Sequence, residues 1–276
     1  MSETTKQMER AVTIGVFDGV HRGHQALLAE TVRVARAENL RPSAITFDPH
    51  PSAVFAPARL PPLLGTLRER EELLMEYGAA IVTTAHFDRA LAALTPDEFI
   101  ETWIRKNYIR AVVVGEDFRF GCDRSGDAFY LQRAGEKHGF RTIIVPPVFV
   151  GGVPCRSTTI RQMLLGGQVE PAQTLLGRAY TLSGTVVHGR KLGRTIGFPT
   201  ANLQSANGVL VPGTGVYAGE AFLANGEACR AAISIGTNPT VTPGVDAPRT
   251  VEAFLIDFDG DLYDQPLTLS FHHFLR

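Results

Sequence analysis

The chain changes its hydrophobic period once, near residue 180, and that change limits what it can fold into. Before it, short apolar runs alternate with amphipathic stretches. Ala11–Phe17, Ser43–Phe47, Ala80–Ala85, Ala111–Gly115 and Thr142–Val145 read as buried strands. Between the first two, Gln25–Glu38 puts Leu28, Val32 and Ala35 on one helical face. Thr66 with Glu69 reads as a capping box opening a helix through Tyr77, and Thr95, Pro96 and Glu98 open another to about Lys106. A helix near Ala128–His138 completes the alternation, and Ser157–Leu165 and Pro171–Leu176 read as two short helices. Strands separated by helices imply a parallel sheet with right-handed crossovers, which binds ligands at the C-terminal ends of its strands.

After Tyr180 the helical period disappears. Thr181–His188, Val216–Leu223, Ala228–Ile235, Val251–Phe258 and Leu267–Phe274 are β-rich, separated by Gly, Pro and Asn-Gly turns such as Asn225-Gly226. This predicts a small, mostly antiparallel barrel or sandwich. The fold class is therefore α/β plus β, with the seam between residues 166 and 180 and expected domains of 1–179 and 180–276. A length of 276 residues suits two domains.

Composition excludes several classes. Hydrophobic residues are 44% and charged residues 20%, which is unlike a disordered chain. Lys plus Arg number 27 against 28 Asp plus Glu, so nucleic acid is not the expected partner. No apolar run approaches a membrane span and the opening MSETTKQMER is polar, so a cytoplasmic protein with no membrane partner is expected. Cys122, Cys155 and Cys229 are too few and too widely spaced for a disulfide framework or a C-x-x-C zinc site.

The first strand runs into Asp18-Gly19-Val20-His21-Arg22-Gly23-His24 and then directly into a helix. Helix N-termini carry unpaired N–H groups and a positive dipole end, so they attract phosphate. Gly15, Gly19 and Gly23 allow close approach. His21 and His24, three residues apart, can donate to phosphate oxygens and stabilise charge on a leaving pyrophosphate. A metal pair or two structural histidines are the alternatives. Ser157 and Thr158 can cap a helix while holding phosphate, and Arg161, one turn further, can neutralise it. In the second half, Gly184–Asn202 is rich in glycine and basic residues, as a polyphosphate-wrapping loop would be. Thr200 and Asn202 offer oxygen ligands suited to Mg²⁺. Glu252, taken by itself, reads as an outward-facing strand residue.

Gly15–His24 resembles the nucleotidyltransferase motif of bacterial bifunctional riboflavin kinase/FAD synthetases. Phe47-Asp-Pro-His-Pro51, Gly115–Gly121 and Arg156–Arg161 are similar to that family's later motifs, in order. Gly184–Asn202, Gly215–Gly219, Asn238–Thr240 and Val251–Phe258 resemble its riboflavin kinase module. The resemblance implies a Rossmann-like nucleotidyltransferase domain and a kinase barrel. It implies phosphorylation of riboflavin to FMN, then adenylylation of FMN to FAD with release of pyrophosphate. ATP is the implied co-substrate and Mg²⁺ the implied cofactor.

The implied catalytic residues are His21, His24, Arg161 and Glu252. The implied binding residues are Gly15, Phe17, Gly23, Asp117, Ser157 and Thr158 in one module. In the other they are Gly189, Arg190, Gly193, Arg194, Gly197, Thr200 and Asn202, the last two on the metal. Arg156 stands where the family commonly has Ser, and Asp264 where it usually has Gly. The family pattern continues past Leu275-Arg276 into a helical tail, so the kinase module is expected to lack that element. Three further readings are a monofunctional FAD synthetase with an impaired kinase module, a flavin- or nucleotide-binding regulator, and a nucleotidyltransferase acting on another phosphorylated substrate.

Overall fold

A computed structural model describes residues 9–188, 200–237 and 249–276. The chain divides into two compact units, residues 1–61 with 67–155, and residues 62–66 with 156–276. This division falls earlier than 166–180 because the helices at 157–176 group with the barrel.

The first unit is built on five parallel strands, β1 (Arg10–Ile14), β2 (Arg41–Asp48), β3 (Ile81–His86), β4 (Ile109–Gly115) and β5 (Arg141–Val145). Their spatial order is β3-β2-β1-β4-β5. The order reverses between β1 and β4, so the crevice opens at the C-terminal ends of those two strands. Helix α1 (Arg22–Glu38) begins three residues earlier than its periodicity predicts, which brings Gly23 and His24 inside it. Helix α2 (Leu67–Glu76) follows β2, and α3 (Ala128–His138) lies over the predicted residues. Asp127 accepts from the Tyr130 N–H at the start of α3, and Gly139 ends it at φ +77.

The predicted Thr95–Glu98 capping box forms with both bonds present. The helix it opens runs as one α-helical turn, Pro96–Phe99, followed by a π-helical turn, Ile100–Ile104. Alternation along the strands fixes the layers. Val12, Ile14, Val112 and Val114 pack against Phe99, Ile104 and Leu131 on one face. Ala11 and Ala111 pack against Val34 and Ala35 of α1 on the other.

The second unit carries helices α4 (Ser157–Leu165) and α5 (Val169–Leu176) and six strands. These are β6 (Tyr180–Val187), β7 (Ala201–Ser205), β8 (Gly215–Leu223), β9 (Ala228–Thr237), β10 (Arg249–Leu255) and β11 (Pro266–Phe274). They close into a barrel in the order β6-β7-β10-β9-β8-β11, every pairing antiparallel. Of the two shapes the sequence allowed, the barrel is the one adopted. Strand β7 was not predicted as a strand.

Gly219 is required by packing, since a Cβ there would meet the Ser270 carbonyl oxygen at 1.9 Å. Asp264 adopts φ +60, the left-handed conformation that a glycine takes at no steric cost.

Candidate functional site

In the first unit the chain leaves β1 at Gly15 and turns sharply. Phe17, Gly19 and Val20 have φ of +54, +80 and +37. The turn delivers His21 to the N-cap of α1, where no side chain caps the helix and the first turn holds no acidic residue. His21 and His24 are one helical turn apart, so their rings stack, with centroids 3.7 Å apart and planes at 18°. The Phe17 ring lies edge-on to His24 at 5.2 Å. That ring is fully buried among Leu28, Ala44 and Leu74, so the Phe17 side chain presents no surface to a ligand.

Burial, then His21, then the Arg70 guanidinium hold His24 well below the ordinary histidine range. The His24 ring is therefore neutral, with a buried Nδ1 that makes no hydrogen bond among the described residues. Gly15 and Gly23 serve their own neighbours. A Cβ on Gly15 would meet the Phe17 ring at 3.2 Å, and one on Gly23 the His21 ring at 3.1 Å. The Cys155 sulfur also faces the backbone N–H groups of Arg22 and Gly23, and burial pushes its thiol up. Part of this helix start is thus already met by sulfur.

Beside the turn opens a pocket of about 790 Å³ that includes Gly15 and Asp117. Its walls carry Phe47, Phe55, Phe87, Phe99, Phe118 and Phe120. Phe87 contacts Phe47 and Phe55 edge-on at 5.7 and 5.8 Å, and Phe118 stacks on Phe120 at 5.5 Å. Such a slot suits a flat aromatic ring system. Of these rings only Phe47, Phe118 and Phe120 fall in the segments quoted from the sequence. A readable signal existed: Phe47, Phe87 and Phe118 stand at or just beyond the C-terminal ends of β2, β3 and β4.

The second unit holds the other predicted residues. Ser157, Thr158 and Arg161 lie in α4, but Arg156, not Ser157, takes the N-cap position. Arg161 is nearly buried, and its Nε donates to the Pro62 carbonyl at 2.8 Å. In the barrel, the Thr200 hydroxyl donates to the Glu252 carboxylate at 3.4 Å. Asn202 sits opposite Glu252 in the β7–β10 ladder. Glu252 stands on the face away from buried Val251, Ala253 and Leu255. Thr200 and Asn202 both carry side-chain oxygens, which suit a hard cation. Gly189, Arg190, Gly193, Arg194, Gly197 and Asn238–Thr240 lie outside the described residues.

A family model described as FAD synthetase matches residues 3–159, and one described as riboflavin kinase matches residues 176–276. The bifunctional riboflavin kinase/FMN adenylyltransferase of Escherichia coli (strain K12) is 40% identical over 266 residues, covering 96% of this chain and 84% of the relative. The protein of the same description from Listeria monocytogenes is 33% identical over 270 residues, covering 98% and 85%. A crystal structure from Streptococcus pneumoniae described as a macrolide-efflux protein superposes with a TM-score of 0.88 at 33% identity, covering 97% of this chain and 86% of that one.

Proposed function

The chain belongs to the bifunctional riboflavin kinase/FMN adenylyltransferase family, and from that premise we propose how its two halves divide the work. The protein is an enzyme that uses ATP twice, to phosphorylate riboflavin and to adenylylate the resulting FMN. Residues 1–179 carry the adenylyl transfer and residues 180–276 the phosphorylation.

The observation that carries the first assignment is the stacked His21–His24 pair at the start of α1, beside a pocket lined with phenylalanine. The flavin ring occupies that pocket, flanked by Asp117, and the triphosphate lies at the helix start. An oxygen of the FMN phosphate attacks the α-phosphorus of ATP. The bond to the β-phosphate breaks, and pyrophosphate leaves with both electrons of that bond. The two imidazoles donate N–H bonds to the charge that develops, so no covalent enzyme intermediate is needed. Ser157, Thr158 and Arg161 are assigned phosphate binding on the family resemblance alone.

For the kinase half, Glu252 takes the proton of the ribityl 5′-hydroxyl as the hydroxyl oxygen attacks the γ-phosphorus, and the bond from the γ-phosphorus to the β,γ-bridging oxygen breaks so that ADP leaves with its electron pair. The contact of Thr200 with Glu252, and the register of Asn202 against it, support this. Thr200 and Asn202 hold Mg²⁺, which neutralises phosphate charge when bound. Gly189, Arg190, Gly193, Arg194 and Gly197 are assigned phosphate binding on the family resemblance alone.

No described helix is long and apolar enough to cross a membrane. The efflux description stays with the streptococcal protein. A cytoplasmic location, where ATP is at hand, is part of this reading. Incubation with riboflavin and Mg-ATP, then with FMN and Mg-ATP, and chromatography of the products tests both halves. FMN and FAD are expected in turn.

A further inference from the structure

Arg70, on α2, has no part in the chemistry above, yet it is a charged side chain that is only 5% exposed. Its Nη1 donates to the carbonyls of Val16 and Phe47, both at 3.0 Å, and to the Thr46 hydroxyl at 3.2 Å. The Thr46 hydroxyl donates in turn to the Val16 carbonyl at 3.0 Å. Asp48 is the nearest carboxylate, 3.9 Å from Nη2. A buried guanidinium survives only when its donors are satisfied. Here Nη1 bonds main-chain carbonyls beyond β1 and in β2, so one arm of the guanidinium ties two strand ends together.

The tie sits at the base of the strained turn. Val16 immediately precedes Phe17, whose φ is +54, and Val20 follows at φ +37, a costly conformation for a β-branched residue. Such a turn persists only where its surroundings hold it. Above the base, the Val20 N–H donates to the Phe17 carbonyl at 3.1 Å, and the Gln25 side-chain amide donates to the Val20 carbonyl at 2.8 Å. At the base the Val16 carbonyl is held by Arg70 and Thr46. The turn then delivers His21, which stacks on His24.

We propose that Arg70 is a positioning residue of the adenylyl-transfer site: by anchoring the Val16 carbonyl to β2 it fixes the 17–20 turn, and through it the stacked His21 and His24 rings. This rests on the adenylyl-transfer reading. The same guanidinium, with His21, presses His24 toward its neutral form after burial has done most of the work. Asp18, Asp48 and Glu71 face Arg70 and offset part of its charge. The Cys155 thiol lies at the same helix start and stays protonated.

The test uses the full chain with Arg70→Met and Arg70→Lys. Three readouts are taken: FAD formation from FMN, riboflavin phosphorylation in the same preparation, and the His24 ring titration by NMR without substrate. Arg70→Met is expected to lower kcat for FAD formation by about 10–100-fold, the scale of a 1 Å misplacement, while riboflavin phosphorylation is unchanged. The His24 midpoint should rise in Arg70→Met and hold in Arg70→Lys. Lysine should restore only part of kcat, because its shorter side chain does not carry a donor to the position of Nη1.

Wild-type FAD formation in Arg70→Met, a parallel fall of both activities, or an unmoved His24 midpoint would each overturn the proposal. Should Arg70→Met not fold, Arg70→Lys decides: selective loss of FAD formation upholds the proposal and full activity refutes it. A wild-type enzyme that makes no FAD counts against the functional reading, and the substrate-free His24 titration still decides the role of Arg70.

Discussion

The imidazole rings of His21 and His24 stack with centroids 3.7 Å apart, a geometry that two cations would not tolerate. At most one of them carries charge in the unliganded protein, and His24 is the neutral one.

This has a consequence for stability. The folded midpoint of His24 lies below 6.5, whereas the unfolded chain titrates near 6.5. Between those values the unfolded state binds more protons than the folded state, so stability rises with pH through that window. The contribution is fully present above 6.5 and is lost as pH falls toward the folded midpoint. Urea midpoints measured from pH 7 down to about pH 5 should fall in the wild type and fall less in His24→Asn. Identical pH slopes in the two proteins would remove His24 as the cause.

The two active sites should separate by mutation. Glu252→Ala should reduce riboflavin phosphorylation by about 10²–10⁴-fold, the usual contribution of a general base, and leave FAD formation from FMN intact. His24→Ala should do the reverse. Equal loss of both activities in either variant argues against independent sites.

The phenylalanine pocket makes a prediction about affinity. Phe55 is 67% exposed and its ring meets Phe87 at 5.8 Å, so it contributes more to a ligand than to the core. Phe55→Ala should raise KM for FMN by about tenfold, within the 1–3 kcal/mol typical of aromatic stacking, with little change in melting temperature. A KM for FMN equal to that of the wild type would take the flavin ring out of this pocket.

The Thr95 cap offers a stability test away from the chemistry. Its hydroxyl accepts from the Glu98 N–H while the Glu98 carboxylate accepts from the Thr95 N–H. Thr95→Ala should cost about 1 kcal/mol and lower the melting temperature by about 2–4 °C, with both activities retained.

That cap was legible because Thr, Pro and Glu stand at fixed offsets, and the same holds for α3 and α4, found where their periodicity placed them. Other features were not legible, for identifiable reasons. β7 is only five residues long, and only Leu203 among them is buried, so no apolar run marked it. The early start of α1 depends on Val20 entering the left-handed region, which a β-branched residue does not advertise. Ser157 looked like a cap by residue type, yet the backbone leaves Arg156 in that position. Arg70 was hidden because a lone arginine in a charged helix reads as solvent-facing, and only the tertiary fold brings the Val16 and Phe47 carbonyls to it.

Adenylyl transfer to FMN is the reaction proposed for the histidine-bearing half. The most direct measurement supplies FMN with ATP labelled at the α-phosphorus and follows the label by chromatography while assaying released pyrophosphate. Label in FAD and one pyrophosphate per FAD are expected in the wild type but not in His24→Ala. Label remaining in ATP or AMP, with no labelled flavin, would contradict that assignment.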